Sequence, residues 1–160
     1  MDELWSFVGK KAHKRWVWIA LCRRTRQIVA FYISKRDDLS AQQLWQCIDC
    51  PYSLCPLYSN QYPAYAKVLP EHLHWTKGSG ATSHLERWNN TLRQRLARFV
   101  RKSLSLSKSD IMHRLMLEWF IIDYNLNISS LIYLTTTAFL LHCGLYKHSE
   151  AHRVGDDTSK

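Results

Sequence analysis

Arg15-Trp16-Val17-Trp18-Ile19-Ala20-Leu21 is a nearly continuous apolar run, and it constrains the fold more than any other feature of the chain. A strand buried on both faces reads this way, because neither set of alternating side chains meets water. Its neighbours are β-rich as well. Leu4-Trp5-Ser6-Phe7-Val8 mixes apolar and β-favouring residues before the Gly9-Lys10-Lys11 turn, and residues 27–33 follow the polar turn Arg23-Arg24-Thr25-Arg26. Three strands joined by short polar links predict an antiparallel meander.

The periodicity then changes. Ser40 is placed to cap a helix carrying Ala41, Leu44, Trp45 and Ile48. Residues 54–58 read as a strand ending at Ser59-Asn60, residues 62–69 as a brief helix, and residues 72–75 as a last short strand before the Gly78-Ser79-Gly80 link. From Ser83 to Ser103 there is neither Pro nor Gly, and Leu85, Trp88, Leu92, Leu96 and Phe99 line one helix face at 3-4-4-3 spacing. Ser107 or Ser109 can cap a further helix bearing Met112, Leu115, Met116, Trp119, Phe120 and Ile122. The expected order is β-β-β-α-β-α-β-α-α, an α/β fold with a mixed sheet flanked by helices. One domain is expected over residues 1–125 and an extension over 126–160. Residues 128–146 hold no Lys, Arg, Asp or Glu, which approaches membrane-span length; three threonines, two serines and His142 favour a packed or frayed extension instead. The polar residues from Ser149 onward are expected to be disordered.

With 22 Lys+Arg against 13 Asp+Glu, the chain carries a net charge of +9. That excess suits a polyanionic partner, because phosphates neutralised by cations release counterions. Charge alone leaves nucleic acid, a ribosome or an anionic membrane surface open. Five cysteines, an odd number, and no secretory signal predict an intracellular, reduced protein. Cys47, Cys50 and Cys55 with His72 and His74 raise a zinc site. Against it, a second close ligand pair is missing, and Trp45 and Ile48 make Cys47 read as a helix-face hydrophobe.

Three polar positions stand out in this topology. Asp2 lies on the first strand, Asn60 at the C-terminal end of the fourth, where ligands gather in sheets with helical crossovers, and Glu86 in the first turn of the long helix. Each has a plain structural reading: a solvated terminus, a turn residue, a complement to the helix dipole.

Their surroundings shift the balance. Residues 2–8 (DELWSFV), 25–29 (TRQIV), 58–65 (YSNQYPAY) and 83–95 (SHLERWNNTLRQR), continued by Ser105-Leu106-Ser107-Lys108, resemble an InsB-type transposase of the IS-one insertion-sequence family. The resemblance runs in unbroken order over about residues 1–125. It implies a ribonuclease-H-like catalytic core in which two aspartates and a glutamate (the DDE set) hold Mg2+ or Mn2+ for DNA cleavage and strand transfer. The first Asp falls on Asp2, the Glu on Glu86, and the second Asp on Asn60.

The departure at Asn60 has a chemical consequence. Two divalent ions about 3.5–4 Å apart stabilise the attacking and leaving oxygens of a phosphodiester. Mg2+ prefers hard anionic oxygens, whereas Asn offers one neutral carbonyl and an NH2 donor that repels a cation. Weak metal binding and severely reduced activity are therefore expected, which leaves two readings: a transposase, or an impaired remnant that still binds DNA. Arg87, Arg93, Arg95, Arg98, Arg101 and Lys102, with no acid between Arg87 and Ser109, form an expected DNA-backbone face, with Asn89 and Arg93 sharing the face of Glu86. The family also implies a prokaryotic, nucleoid-associated protein and a separate module, or a further copy or partner, for end-specific DNA recognition; a membrane role is not expected. Only Met1 precedes Asp2, so the leading strand is expected to be cut short.

Overall fold

The computed structural model describes residues 1–76, 82–100 and 105–142, with side chains up to residue 133. Strands β1 (Asp2–Phe7), β2 (Lys14–Leu21) and β3 (Ile28–Ser34) form the expected antiparallel meander with β2 central. Asp2 sits opposite Ile19, and Trp18 opposite Tyr32.

The unbroken apolar run of β2 is explained by two cores. Val17 and Ile19 face a cluster with Leu4, Ile28, Leu85, Trp88, Leu92 and Leu117, whereas Trp18 and Ala20 face Ala30, Leu44, Leu57 and Tyr65. Alternate side chains of one strand thus anchor opposite layers. Each fully buried large side chain contributes about 1.5–3 kcal/mol of transfer free energy.

Helix α1 (Asp38–Gln46) is capped by Asp37, not by Ser40: Asp37 Oδ1 accepts from the Ser40 backbone N–H at 2.9 Å and its hydroxyl at 2.6 Å. Ser40 satisfies the cap from inside the first turn and is itself buried. Strands β4 (Leu57–Ser59) and β5 (His74–Thr76) pair in parallel around helix α2 (Pro63–Val68). Residues 52–54 form a single 3-10 turn, so β4 starts three residues later than expected. The backbone nitrogen of Met1 donates to the Tyr58 carbonyl, joining β4 to the free edge of β1.

Helix α3 (Ser83–Arg95) stops short of Ser103. Leu96 is extended (φ −111°, ψ 100°) and residues 97–99 make a 3-10 turn. No Gly or Pro dictates this break. It turns Phe99 into the core, where its ring stacks on His113 with centroids 4.4 Å apart, so tertiary packing overrides helix propensity. Ser109 does cap helix α4 (Asp110–His142), its hydroxyl accepting from the Met112 N–H at 3.2 Å. Helix α4 passes residues 125–126 without a break, and the Asn125 amide bonds the N–H (2.9 Å) and carbonyl (2.8 Å) of Ile28 at the start of β3.

The element order is the expected one, but the strands form two sheets and not one mixed sheet, the antiparallel β1–β2–β3 meander and the parallel β4–β5 pair; α1 and α2 cover one face of the meander, α3 and α4 the other. No helix among the described residues is long and apolar enough to cross a membrane. The Gly78-Ser79-Gly80 link, Arg101, Lys102 and the polar tail lie outside the described residues.

Candidate catalytic site

Asp2 enters the site because β1 begins there, beside the end of β4 and beneath α3. Asn60, the residue after β4, donates from Nδ2 to Asp2 Oδ1 at 2.7 Å and to Glu3 Oε2 at 3.0 Å. Its Oδ1 accepts from the Tyr62 backbone N–H at 3.1 Å. Asn89, projecting from α3, donates to the other oxygen, Asp2 Oδ2, at 3.0 Å. Both carboxylate oxygens of Asp2 therefore face amide N–H groups. Burial first, and then the neighbouring charge of Glu3, push the Asp2 carboxyl above the usual range.

Glu3 is the residue that sequence reasoning overlooked. Its side chain is only 2% exposed, and Oε1 accepts from Arg36 Nη2 at 2.6 Å and Nε at 3.0 Å. The Tyr65 hydroxyl donates to Oε2 at 3.3 Å, and burial, then the charges of Glu3 and Asp2, hold its pKa well up. The Arg36 guanidinium lies over the rings of Trp16 (4.7 Å) and Tyr62 (4.1 Å). A signal existed: a carboxylate inside an apolar strand needs a cation or donors to be buried at all.

Glu86 stands apart from this cluster. It is exposed in the first turn of α3, and its carboxylate accepts from the Thr82 hydroxyl at 3.1 Å. It precedes Asn89 by one helical turn, on the same face. Among the described residues, no three of His, Cys, Asp and Glu gather around one point.

The donor set fits a cation at Asp2 in part. Asn89 Oδ1 is buried without a partner among the described residues, a hard oxygen beside the Asp2 carboxylate. Asn60 does not fit as a ligand in this arrangement, since its oxygen is committed to Tyr62 and its NH2 is turned toward the carboxylates.

The expected cationic face does not continue along one helix through Arg95 and Arg98, because α3 ends at Arg95 and Arg98 falls on the 3-10 turn. Arg93 is half-buried, Arg87 and Arg95 are exposed, and neither Arg87, Arg95 nor Arg98 joins an ion pair among the described residues. The cationic ground nearest the site is different. Burial, then the guanidiniums of Arg26, Arg87 and Arg23, depress the His84 pKa, which sets the β2–β3 turn against the start of α3. Arg23 lies over the Tyr58 ring at 4.6 Å. A cavity of about 610 Å³ opens here, with Arg23, Arg24 and His84 among its polar lining and Leu57 and Leu85 in its apolar floor.

Cys47, Cys50 and Cys55 are free and exposed, and His74 Nε2 shares a hydrogen bond with Ser59 Oγ at 2.7 Å.

Comparison with known proteins bears on this arrangement. The family model described as IS1 transposase matches residues 1–126. The chain belongs to the IS1 transposase family. The insertion element iso-IS1n protein InsB of Shigella dysenteriae is 34% identical over 121 residues, covering 76% of this chain and 91% of that protein. The insertion element IS1 protein InsB of Shigella flexneri is 35% identical over 113 residues, 71% of this chain and 85% of its own. The insertion element IS1 4 protein InsB of Escherichia coli K12 is likewise 35% identical over 113 residues, which span 66% of its length. No solved structure matches the chain. In this IS1-family chain, the family match ends within α4, two residues past Tyr124, whose ring packs on Trp88.

Proposed function

We propose that this chain processes DNA as an insertion-sequence transposase, with a ribonuclease-H-like core in which Asp2 and Glu86 hold Mg2+ or Mn2+. The observation that carries the reading is the convergence on Asp2: Asn60 from the end of β4 and Asn89 from α3 bond its two oxygens, one helical turn from Glu86. Segments β1, the end of β4 and α3 thus meet at Asp2, which supports the reading. A divalent ion bound there would neutralise charge on the phosphodiester oxygens and activate the attacking water or 3′-hydroxyl. The chain's own residues supply the frame. Arg36 and Tyr65 fix Glu3, Glu3 and Asp2 fix Asn60, and Asn89 orients Asp2. Arg23, Arg26 and Arg87 supply cations for the DNA backbone beside Glu86. End-specific recognition would come from another module, copy or partner.

A second reading, an impaired DNA-binding relative, is favoured by one observation. The Asn60 N–H groups occupy the oxygens a cation would need, so the site is satisfied by hydrogen bonds. Nicking of supercoiled plasmid in Mn2+ separates the two. Weak or absent nicking by the natural chain, with a gain of at least about tenfold in Asn60→Asp that is lost again on adding Glu86→Gln, supports the impaired reading. Robust nicking by the unaltered chain sinks it, and failure to bind DNA at all sinks both.

A further inference from the structure

The cavity at the start of α3 is deeper than contacts to a DNA backbone require, and its lining divides in two. The floor is apolar, with Leu57 and Leu85 buried and Val29 half-buried. The rim carries Arg23, Arg24 and His84, and no Asp or Glu is among the described residues that line it. Arg23 and Arg24 are exposed and join no ion pair among the described residues. Phosphates of a duplex would use this rim and leave the floor empty. An apolar peptide or a lipid chain would use the floor and leave the cations unmatched. A small inorganic anion would fill little of the 610 Å³. A nucleotide suits both halves, because it joins a flat, weakly polar base to a charged phosphate.

A paired base hides both faces in the stack, so only a base outside the duplex can enter a cavity. Tyr58, half-buried in the wall, offers it a partner, and the Arg23 guanidinium lies over that ring at 4.6 Å. Aromatic rings and guanidinium planes are the surfaces on which unpaired bases stack. Position agrees with chemistry. Met1 and Leu85, both in the wall, immediately precede Asp2 and Glu86, so a nucleotide held here adjoins the candidate site. We infer that the cavity receives one unpaired base of the bound DNA, stacked against Tyr58, with its phosphate on Arg23 and Arg24. The inference rests on the reading of this chain as a DNA-processing protein.

Fluorescence anisotropy of the full chain with three duplexes of one sequence tests it. One duplex ends blunt, one in two unpaired thymidines, and one in the same two positions made abasic, the overhangs being tried with 3′ and with 5′ polarity. In at least one polarity the intact overhang is expected to bind at least about fivefold tighter than the blunt and abasic duplexes. Val29→Trp, which fills the floor, should abolish that preference, whereas Lys11→Ala in the distant β1–β2 turn should keep it. Should Val29→Trp not fold, Tyr58→Leu serves, with the preference lost and the circular dichroism retained. Equal affinity for all three duplexes, or an abasic overhang bound as tightly as the intact one, would overturn the inference. So would a preference that survives in a folded Val29→Trp or Tyr58→Leu. Each of those results leaves DNA binding, and with it the proposed function, standing. Failure to bind any duplex overturns the proposed function itself.

Discussion

Asn60 holds one amide orientation because three partners agree on it: the Tyr62 N–H takes its oxygen, and Asp2 and Glu3 take its nitrogen. An aspartate there would lose two donors and add a negative charge beside two others. Asn60→Asp is expected to destabilise the metal-free chain by about 1–3 kcal/mol, and Mn2+ to restore the loss, in thermal unfolding followed with and without the ion. Equal stabilisation of the natural chain by Mn2+ would show that the amide does not keep the cation out. Arg36→Met strands the buried Glu3 carboxylate with only Asn60 and Tyr65, and should cost about 2 kcal/mol in urea unfolding. At this scale the sequence made Asp2, Asn60 and Glu86 visible through their flanking residues. It did not reveal Glu3 or Arg36, because 33 residues separate the pair and only the β1–β2–β3 register brings them together.

The junction between α3 and α4 is held by a neutral histidine. His113 is fully buried, stacked on Phe99, with Nδ1 sharing a 2.9 Å hydrogen bond with Ser107 Oγ. Burial first holds its pKa down from the ordinary 6.5 to about 4. The unfolded chain takes up a proton below 6.5 while the folded chain resists until about 4, so stability falls as pH drops through that window. A shift of this size is worth about 3 kcal/mol at most. His113→Phe keeps the ring stack and removes the titrating group. Its unfolding free energy should be lower by about 1 kcal/mol at pH 7, where Ser107 loses its partner, yet flatter between pH 6.5 and 4. An acid limb as steep as that of the natural chain would exclude His113 as its cause. The break at Leu96 belongs to this junction too. Leu96 and Phe99 fit a continued helix by spacing, and the packing of Phe99 in the core against His113 makes the 3-10 turn preferable.

For the whole molecule, the cations that matter are those the fold collects at one end. Arg23 and Arg26 come from the β2–β3 turn and Arg87 from α3, all near His84, while Lys10 and Lys11 sit in the β1–β2 turn at the opposite end of β1 from Asp2. If this end faces the DNA backbone, Arg23→Ala and Arg87→Ala should each weaken binding across sequences and reduce the slope of log affinity against log salt by about one. Lys11→Ala should leave the slope unchanged. Equal effects from all three, measured by fluorescence anisotropy over a salt series, would mean that DNA binding is spread over the surface.

The sequence by itself determined the order of elements, the burial of β2 on both faces and the family, because periodicity and local motifs are properties of neighbouring residues. Tertiary structure decided where α3 ends, that Asp37 caps α1, that Glu3 and Arg36 belong to the site, and that Asn60 points its donors and not its oxygen at Asp2. Each of these depends on side chains distant in sequence competing for one buried space, and no local pattern encodes the outcome of that competition.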